Sequence, residues 1–309
     1  MLFNSKFPIL AAPMNQVSDI NLALQISKSG CIPSLTFYNY KNYQELSKDL
    51  EIFYSIFPNS EILISFPDRE FFNPEFQKLF NQFNFSHAEL IHEDLKIEKI
   101  TEYHHLYFQN LNKKLNQFRQ KGLKIISKSL GPWLIEFIET YFSNTFDGYI
   151  LKNNKAAGLI LKREENFNPF DELKILKNKL KNTKIIVSGG IENFRDLKEY
   201  LDLGADAVCI GTLFAMSKES KISQISKEKL ITIDKRKKKN QLGSGMMLKN
   251  AIVFKELKND NENRTESLRK GIQNLDDGLI YIGSAILNIK EILTIEEIVK
   301  ILTNDIHNN

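Results

Sequence analysis

Eight short runs of apolar and β-branched residues recur along this chain, and helix-period segments lie between them. The runs are Phe7 to Pro13, Cys31 to Phe37, Glu61 to Phe66, Ala88 to Glu93, Leu123 to Ser129, Gly148 to Lys152, Lys184 to Gly190 and Asp206 to Thr212. Each has the length of a strand, and most are apolar almost throughout, as strands covered on both faces must be. Helical period occupies Ile20 to Ser29, Phe71 to Phe83, Tyr107 to Gln120, Trp133 to Phe142, Phe170 to Leu180 and Asn193 to Leu203. Strand starts fall roughly 22 to 36 residues apart, the spacing of βα units. Eight such units predict an α/β protein of the (β/α)₈ barrel type, with a doubly wound open sheet as the alternative.

The pattern breaks after Thr212. Residues 217–282 are charged and weakly periodic, and "KRKKKNQLGSG" and "KNDNENRTES" read as loops. We expect a barrel from residues 1–216 and 283–309, closed by a last helix over Thr294 to Asn304, with 217–282 as a small inserted unit.

Composition narrows the function classes. The 309 residues are 42% hydrophobic and 26% charged, with a net charge of only +4. That balance excludes a strong nucleic-acid footprint. The basic run Lys235 to Lys239 has no interleaved aromatics and reads as a solvated loop. Cys31 and Cys209 lie far apart within apolar runs, so neither a disulfide framework nor a metal site is expected. The first residues have no basic lead or long apolar stretch, and no window approaches a membrane span. A cytoplasmic protein acting on a small molecule is expected, with homodimerisation left open.

Glycines end two neighbouring strands: Gly189 and Gly190 the seventh, Gly211 with Thr212 the eighth. In (β/α)₈ barrels a phosphate commonly sits on these two loops. Glycine lets backbone N–H groups approach an anion, and a threonine hydroxyl can donate as well. A tight turn into each helix would explain either glycine end alone; two ends side by side favour the phosphate.

These segments resemble a known signature. "GGI…LGADAVCIGTLF" is similar to the phosphate-binding "GGI…LGADxVxxGTxF" of flavin mononucleotide (FMN) barrels. "PILAAPMNQVSD" resembles the "PIxxAPMxxVS" start of the nitronate monooxygenase (2-nitropropane dioxygenase) family, which also contains flavin-dependent enoyl-acyl-carrier-protein reductases. "IGSAILNIKEILTIEEIVKIL" resembles that family's closing segment. The strand seven to eight signature is shared with inosine monophosphate dehydrogenases, and the Ala-Pro-Met start with dihydrouridine synthases. The resemblance implies an FMN-dependent oxidoreductase, with a reduced nicotinamide as one possible electron source. By the same resemblance Pro13, Met14 and Asn15 lie along the isoalloxazine ring. Ser188, Gly189, Gly190, Gly211 and Thr212 cradle the phosphate, and Ala157 and Gly158 belong to the cofactor loop. Lys128 matches a lysine at the end of the fifth strand that favours charge developing on the reduced flavin; a surface lysine at a helix start is the alternative.

The family's loop after strand six ends in a catalytic histidine. Here Leu159 holds that place, and Lys152 replaces an acidic or amide residue. Leucine cannot accept a proton. His92, at the end of the fourth strand, and Lys152 are the candidate replacements. A structural histidine and a lysine paired with a carboxylate are the respective alternatives. A thiol mechanism is disfavoured because neither cysteine lies on the loop after strand six. Pro33 and Ser65 also depart from the family pattern, so a barrel that binds FMN or another phosphate ligand without the family's catalysis stays open beside the enzyme.

Overall fold

The computed structural model describes residues 2–92, 102–129, 131–153, 155–161, 168–232, 239–242, 246–253 and 264–303. In chain order the elements begin with β1 (Ile9–Ala11), α1 (Ile20–Lys28), β2 (Ser34–Thr36), α2 (Tyr43–Ile56), β3 (Leu63–Pro67) and α3 (Pro74–Phe83). They continue with β4 (His87–Ile91), α4 (Glu102–Arg119), β5 (Lys124–Ser129), α5 (Pro132–Tyr141), β6 (Gly148–Lys152), β7 (Gly158–Leu161) and α6 (Pro169–Lys179). The remainder comprises β8 (Ile185–Ser188), α7 (Phe194–Asp202), β9 (Ala207–Ile210), α8 (Thr212–Ala215), α9 (Gln224–Thr232), β10 (Lys239–Leu242), β11 (Met246–Val253), α10 (Arg264–Gln273), β12 (Leu279–Tyr281) and α11 (Ile295–Thr303).

Eight strands form one parallel sheet in the order β1-β9-β8-β6-β5-β4-β3-β2. The sheet curls until its two edges meet, where Leu10 bridges Ile32. At that seam Ala11 N–H donates to Ile32 O at 2.9 Å and Ile32 N–H donates to Ile9 O at 2.8 Å. The expected (β/α)₈ barrel is therefore the observed fold.

Side-chain alternation along these strands divides the interior in two. Outward residues such as Ile64, Leu90, Ile125, Tyr149, Val187 and Val208 pack under the helices. Inward residues Leu10, Leu63, Ile126, Ile150, Ile186 and Cys209 fill the barrel lumen together with Leu2 and Phe3. The segment of Leu2 and Phe3 plugs the N-terminal end of the barrel. Phe3 lies 4.6 Å from the His87 ring, and Leu2 O faces His87 Nε2 at 3.0 Å and Lys124 Nζ at 2.6 Å. Burial pushes the His87 imidazole down to about 4, so it is neutral where it seals this end.

Two parts depart from the sequence reading. Tyr43–Ile56 is a helix that was not singled out; Asn42 caps it by accepting from Glu45 N–H at 3.0 Å, and Tyr43, Leu46, Leu50 and Phe53 form its buried face. Residues 217–282 hold the helices α9 and α10 and the strands β10, β11 and β12; of the two segments read as loops, the first contains β10 and the second the start of α10. These strands make a second, antiparallel sheet in which β11 pairs with β10, with β12 and with β7. β7 comes from the loop after the sixth barrel strand, so that loop and the later segment share one sheet. Residues 235–238 of the basic run and Glu93 and Asp94 beside His92 lie outside the described residues.

Candidate active site

Every barrel strand ends at the same mouth, and a cavity of about 510 Å³ opens there. Its walls include Pro13, Met14, Asn15, Lys128, Ala157, Ser188, Gly189, Gly190, Gly211 and Thr212. His92 and Lys152 border it too. Gly158 begins β7, opposite Lys249. Thr265, Leu268, Ile272, Ile280 and Tyr281, from α10 and β12, add to its walls.

The turn after β8 depends on glycine. Gly189 has φ +115° and Gly190 φ +72°, in the left-handed region that side-chain-bearing residues avoid. A Cβ on Gly189 would also stand 2.6 Å from Ala156 N. These glycines let the loop after β6 lie directly on the end of β8. Asn153 fastens the two, donating from Nδ2 to Gly189 O at 2.8 Å and accepting from Lys155 N–H at 2.9 Å. Among the described residues, the N–H groups of Gly189, Gly190 and Gly211 donate to no protein acceptor. The Thr212 hydroxyl accepts from Gly283 N–H at 2.8 Å, which leaves its own proton for another acceptor. This donor set suits an anion such as a phosphate.

The loop after β1 is held just as closely. Ser18 Oγ accepts from Met14 N–H at 2.9 Å and donates to Ala12 O at 3.2 Å. Asn39 receives Gln16 N–H at 2.7 Å and donates to Ser18 O at 2.7 Å and Met14 O at 3.3 Å. Gln16 adopts φ +63°, and these bonds surround that uncommon conformation. Pro13, Met14 and Asn15 are thus presented to the cavity on a fixed backbone.

Charge is concentrated on the cavity floor. Glu89, from β4, is fully buried, and its Oε1 lies 3.2 Å from Lys128 Nζ of β5. The aligned hydrogen bond runs instead from Lys128 Nζ to Oε2 at 3.5 Å, and Oε1 accepts none. Lys152 stands on β6, two residues beyond Ile150 and therefore on the same inward face. Burial, with the Lys128 charge next in weight, pushes the Lys152 ammonium down to about 7, against a smaller opposing pull from Glu89. Burial holds the Cys209 thiol up at about 12.

His92 is engaged on both ring nitrogens. Nε2 faces Ser127 Oγ at 2.9 Å and Nδ1 faces the Tyr107 hydroxyl at 3.0 Å. The Tyr107 hydroxyl in turn donates to Asp68. The rings of Phe108 and Phe146 close around the imidazole, at 5.6 and 5.8 Å. Burial lowers His92 to about 3. It stays neutral, with both nitrogens engaged at the cavity wall.

Sequence reasoning missed Glu89, Asn39 and Asn153. Glu89 had a signal, a carboxylate inside an otherwise apolar run. Asn39 binds backbone groups more than 20 residues away, and Asn153 joins its own loop to Gly189, 36 residues on.

The model of the family described as nitronate monooxygenase matches residues 172–305. No curated protein matches the chain. Among solved structures, FabK from Thermotoga maritima superposes with a TM-score of 0.78 at 19% identity, covering 99% of this chain and 94% of that one. A nitroalkane oxidase from Streptomyces ansochromogenes gives 0.71 at 13% identity, covering 98% and 97%. The enoyl reductase domain of MlnA from Bacillus amyloliquefaciens gives 0.54 at 14%, covering 78% and 61%. At these identities the structures speak for a shared fold. The family match adds the sequence signature, and it spans the β8 and β9 turns and the last helix.

Proposed function

Starting from the nitronate monooxygenase family signature that the chain carries over residues 172–305, we propose that the protein is an FMN-dependent oxidoreductase of small molecules. The observation that carries this reading is the meeting, at one barrel mouth, of anion-seeking glycine turns with the Lys128–Glu89 pair. Gly189, Gly190, Gly211 and Thr212, with Ser188 beside them, would hold the phosphate. Pro13, Met14, Asn15 and Ala157 would border the ring system, and Lys128 would favour negative charge on it. The flavin, when bound, would supply two-electron acceptor chemistry, with a reduced nicotinamide or an oxidisable substrate as donor. Ile91, Trp133, Leu134 and Ile191 give the walls an apolar character that limits water.

Leu159 stands in β7, its backbone paired with Leu248. By the sequence resemblance, this leucine takes the place of the family's base. Proton abstraction by a histidine at this position is excluded by residue type. A substrate already in its anionic form, such as a nitronate, needs no such step.

The test is the visible spectrum of the purified protein, followed by release and mass determination of any chromophore. Released FMN is the expected result. Bleaching by a reduced nicotinamide would identify the electron source. Flavin retained without turnover of nitronates, enoyl thioesters or quinones would make the protein a flavin-binding barrel. A colourless protein that cannot be loaded with flavin would overturn the proposal.

A further inference from the structure

The donors of the anion cradle are peptide N–H groups, and glycine leaves their direction undecided. A Gly–Gly peptide can turn over at little steric cost. The cations of the cavity are engaged elsewhere: Lys128 lies against Glu89, Lys155 Nζ stands 5.8 Å from the Phe170 ring, and Lys152 has a partner of its own, as do Tyr38 and Tyr281. An anion here therefore depends on how the backbone is aimed. Asn153 follows β6 directly, and β8 is the neighbouring strand. Its backbone N–H donates to Ser188 O at 3.0 Å, and its side-chain Nδ2 donates to Gly189 O at 2.8 Å. Successive carbonyls of an extended strand point to opposite sides. Here two in a row face one residue, which the Gly189 φ of +115° allows.

In a trans peptide the N–H points opposite to the C=O. The N–H groups of Gly189 and Gly190 share peptide units with the two carbonyls that face Asn153, so both are turned away from β6. On that other side lies β9, which runs into Gly211 and Thr212. The Asn153 amide is itself fixed. Oδ1 accepts from Lys155 N–H at 2.9 Å, and Nδ2 also reaches the Tyr200 hydroxyl at 3.3 Å. Exchanging the two amide atoms would set donor against donor at Lys155 and acceptor against acceptor at Gly189. We propose that Asn153 is the positioning residue of the cradle: by holding the Gly189 carbonyl it points the Gly190 N–H into the gap between the ends of β8 and β9, where the phosphate of a phosphorylated ligand is received. The inference rests on the flavin reading only in naming that ligand as FMN.

Two measurements on the purified protein, freed of any bound chromophore, test it. The first compares the dissociation constants of FMN and riboflavin, which differ by the phosphate alone. The wild type is expected to prefer FMN, and Asn153→Ala to shrink that preference by about 10-fold or more while its riboflavin affinity holds. A residue that only supported the loop would weaken both flavins alike. That result, or an unchanged preference, would overturn the inference and leave the flavin reading standing. The second measurement follows the Gly190 amide by NMR. The chain has a single Gly–Gly pair, so glycine labelled with carbonyl carbon-13 and nitrogen-15 gives one cross-peak joining those nuclei across a peptide bond. In the wild type that peak is expected to move with FMN and with inorganic phosphate, and far less with riboflavin. A peak unmoved by FMN and phosphate overturns the inference without any variant. A protein that binds neither flavin, but whose Gly190 peak moves with inorganic phosphate in the wild type and not in Asn153→Ala, removes the flavin reading and leaves Asn153 in its role.

Discussion

At the scale of single residues, the barrel floor joins two kinds of constraint in very little space. Lys152 is placed where a charge is poorly solvated, so it works against folding whenever it is protonated. In the unfolded chain its amine titrates near 10.4, and in the folded protein near 7. Between those values the unfolded chain binds more protons, so stability rises with pH across the window; below it the penalty is present in full. Lys152→Met should therefore raise the unfolding temperature, most at pH 6 and progressively less towards pH 10. Thermal melts of the two proteins across that range check it; a gain that grows with pH would contradict the placement. Both lysines of the floor were legible because charges interrupt or end apolar strand runs. Their meaning depended on Glu89, which the pairing of β4 with β5 sets opposite Ile126, two residues before Lys128 and on the same face.

At the scale of elements, legibility followed how local the stabilising contacts are. The barrel strands could be read because burial on both faces writes itself into continuous apolar runs. Helix α2 carries its own period in Tyr43, Leu46, Leu50 and Phe53, and was missed amid the polar residues around it. Helix α9 could not be read: it buries Ser226 and Lys227 alongside Leu230, so its inner face has no apolar stripe. The second sheet was hidden for another reason, since β7 and β11 pair across more than 80 intervening residues. The loop after β1 shows the same dependence on distant partners. Asn39→Ala would leave Gln16 N–H and Ser18 O without their side-chain partner, at a cost of about 1–3 kcal/mol. We expect lower stability by denaturant titration together with weaker cofactor retention, while Asn39→Asp, which keeps the acceptor for Gln16 N–H, should lose less.

At the scale of the whole molecule, the barrel is sealed at one end and open at the other. The seal is Leu2 and Phe3, set against His87 and Lys124. Phe3→Ala should cost about 3–5 kcal/mol, as a large aromatic deleted from a closed core. Equilibrium unfolding would measure it, and a loss under 1 kcal/mol would mean that the plug is dispensable. Part of the cavity wall comes from 264–285, and the sheet that includes β12 also takes in β7 from the loop that carries Leu159. The barrel's closure carries a further consequence. Its strands are joined by continuous ladders all the way round except between β1 and β2, where the single Leu10–Ile32 bridge spans the gap. A cylinder with one thin stave joint breathes there first. Amide protons of Ala11 and Ile32 should therefore exchange with solvent deuterium earlier than those of β5 and β6, and this joint runs up to Pro13 and Met14. The rim residues nearest the proposed ring site would then be the ones that give way most readily when a bulky guest enters or leaves.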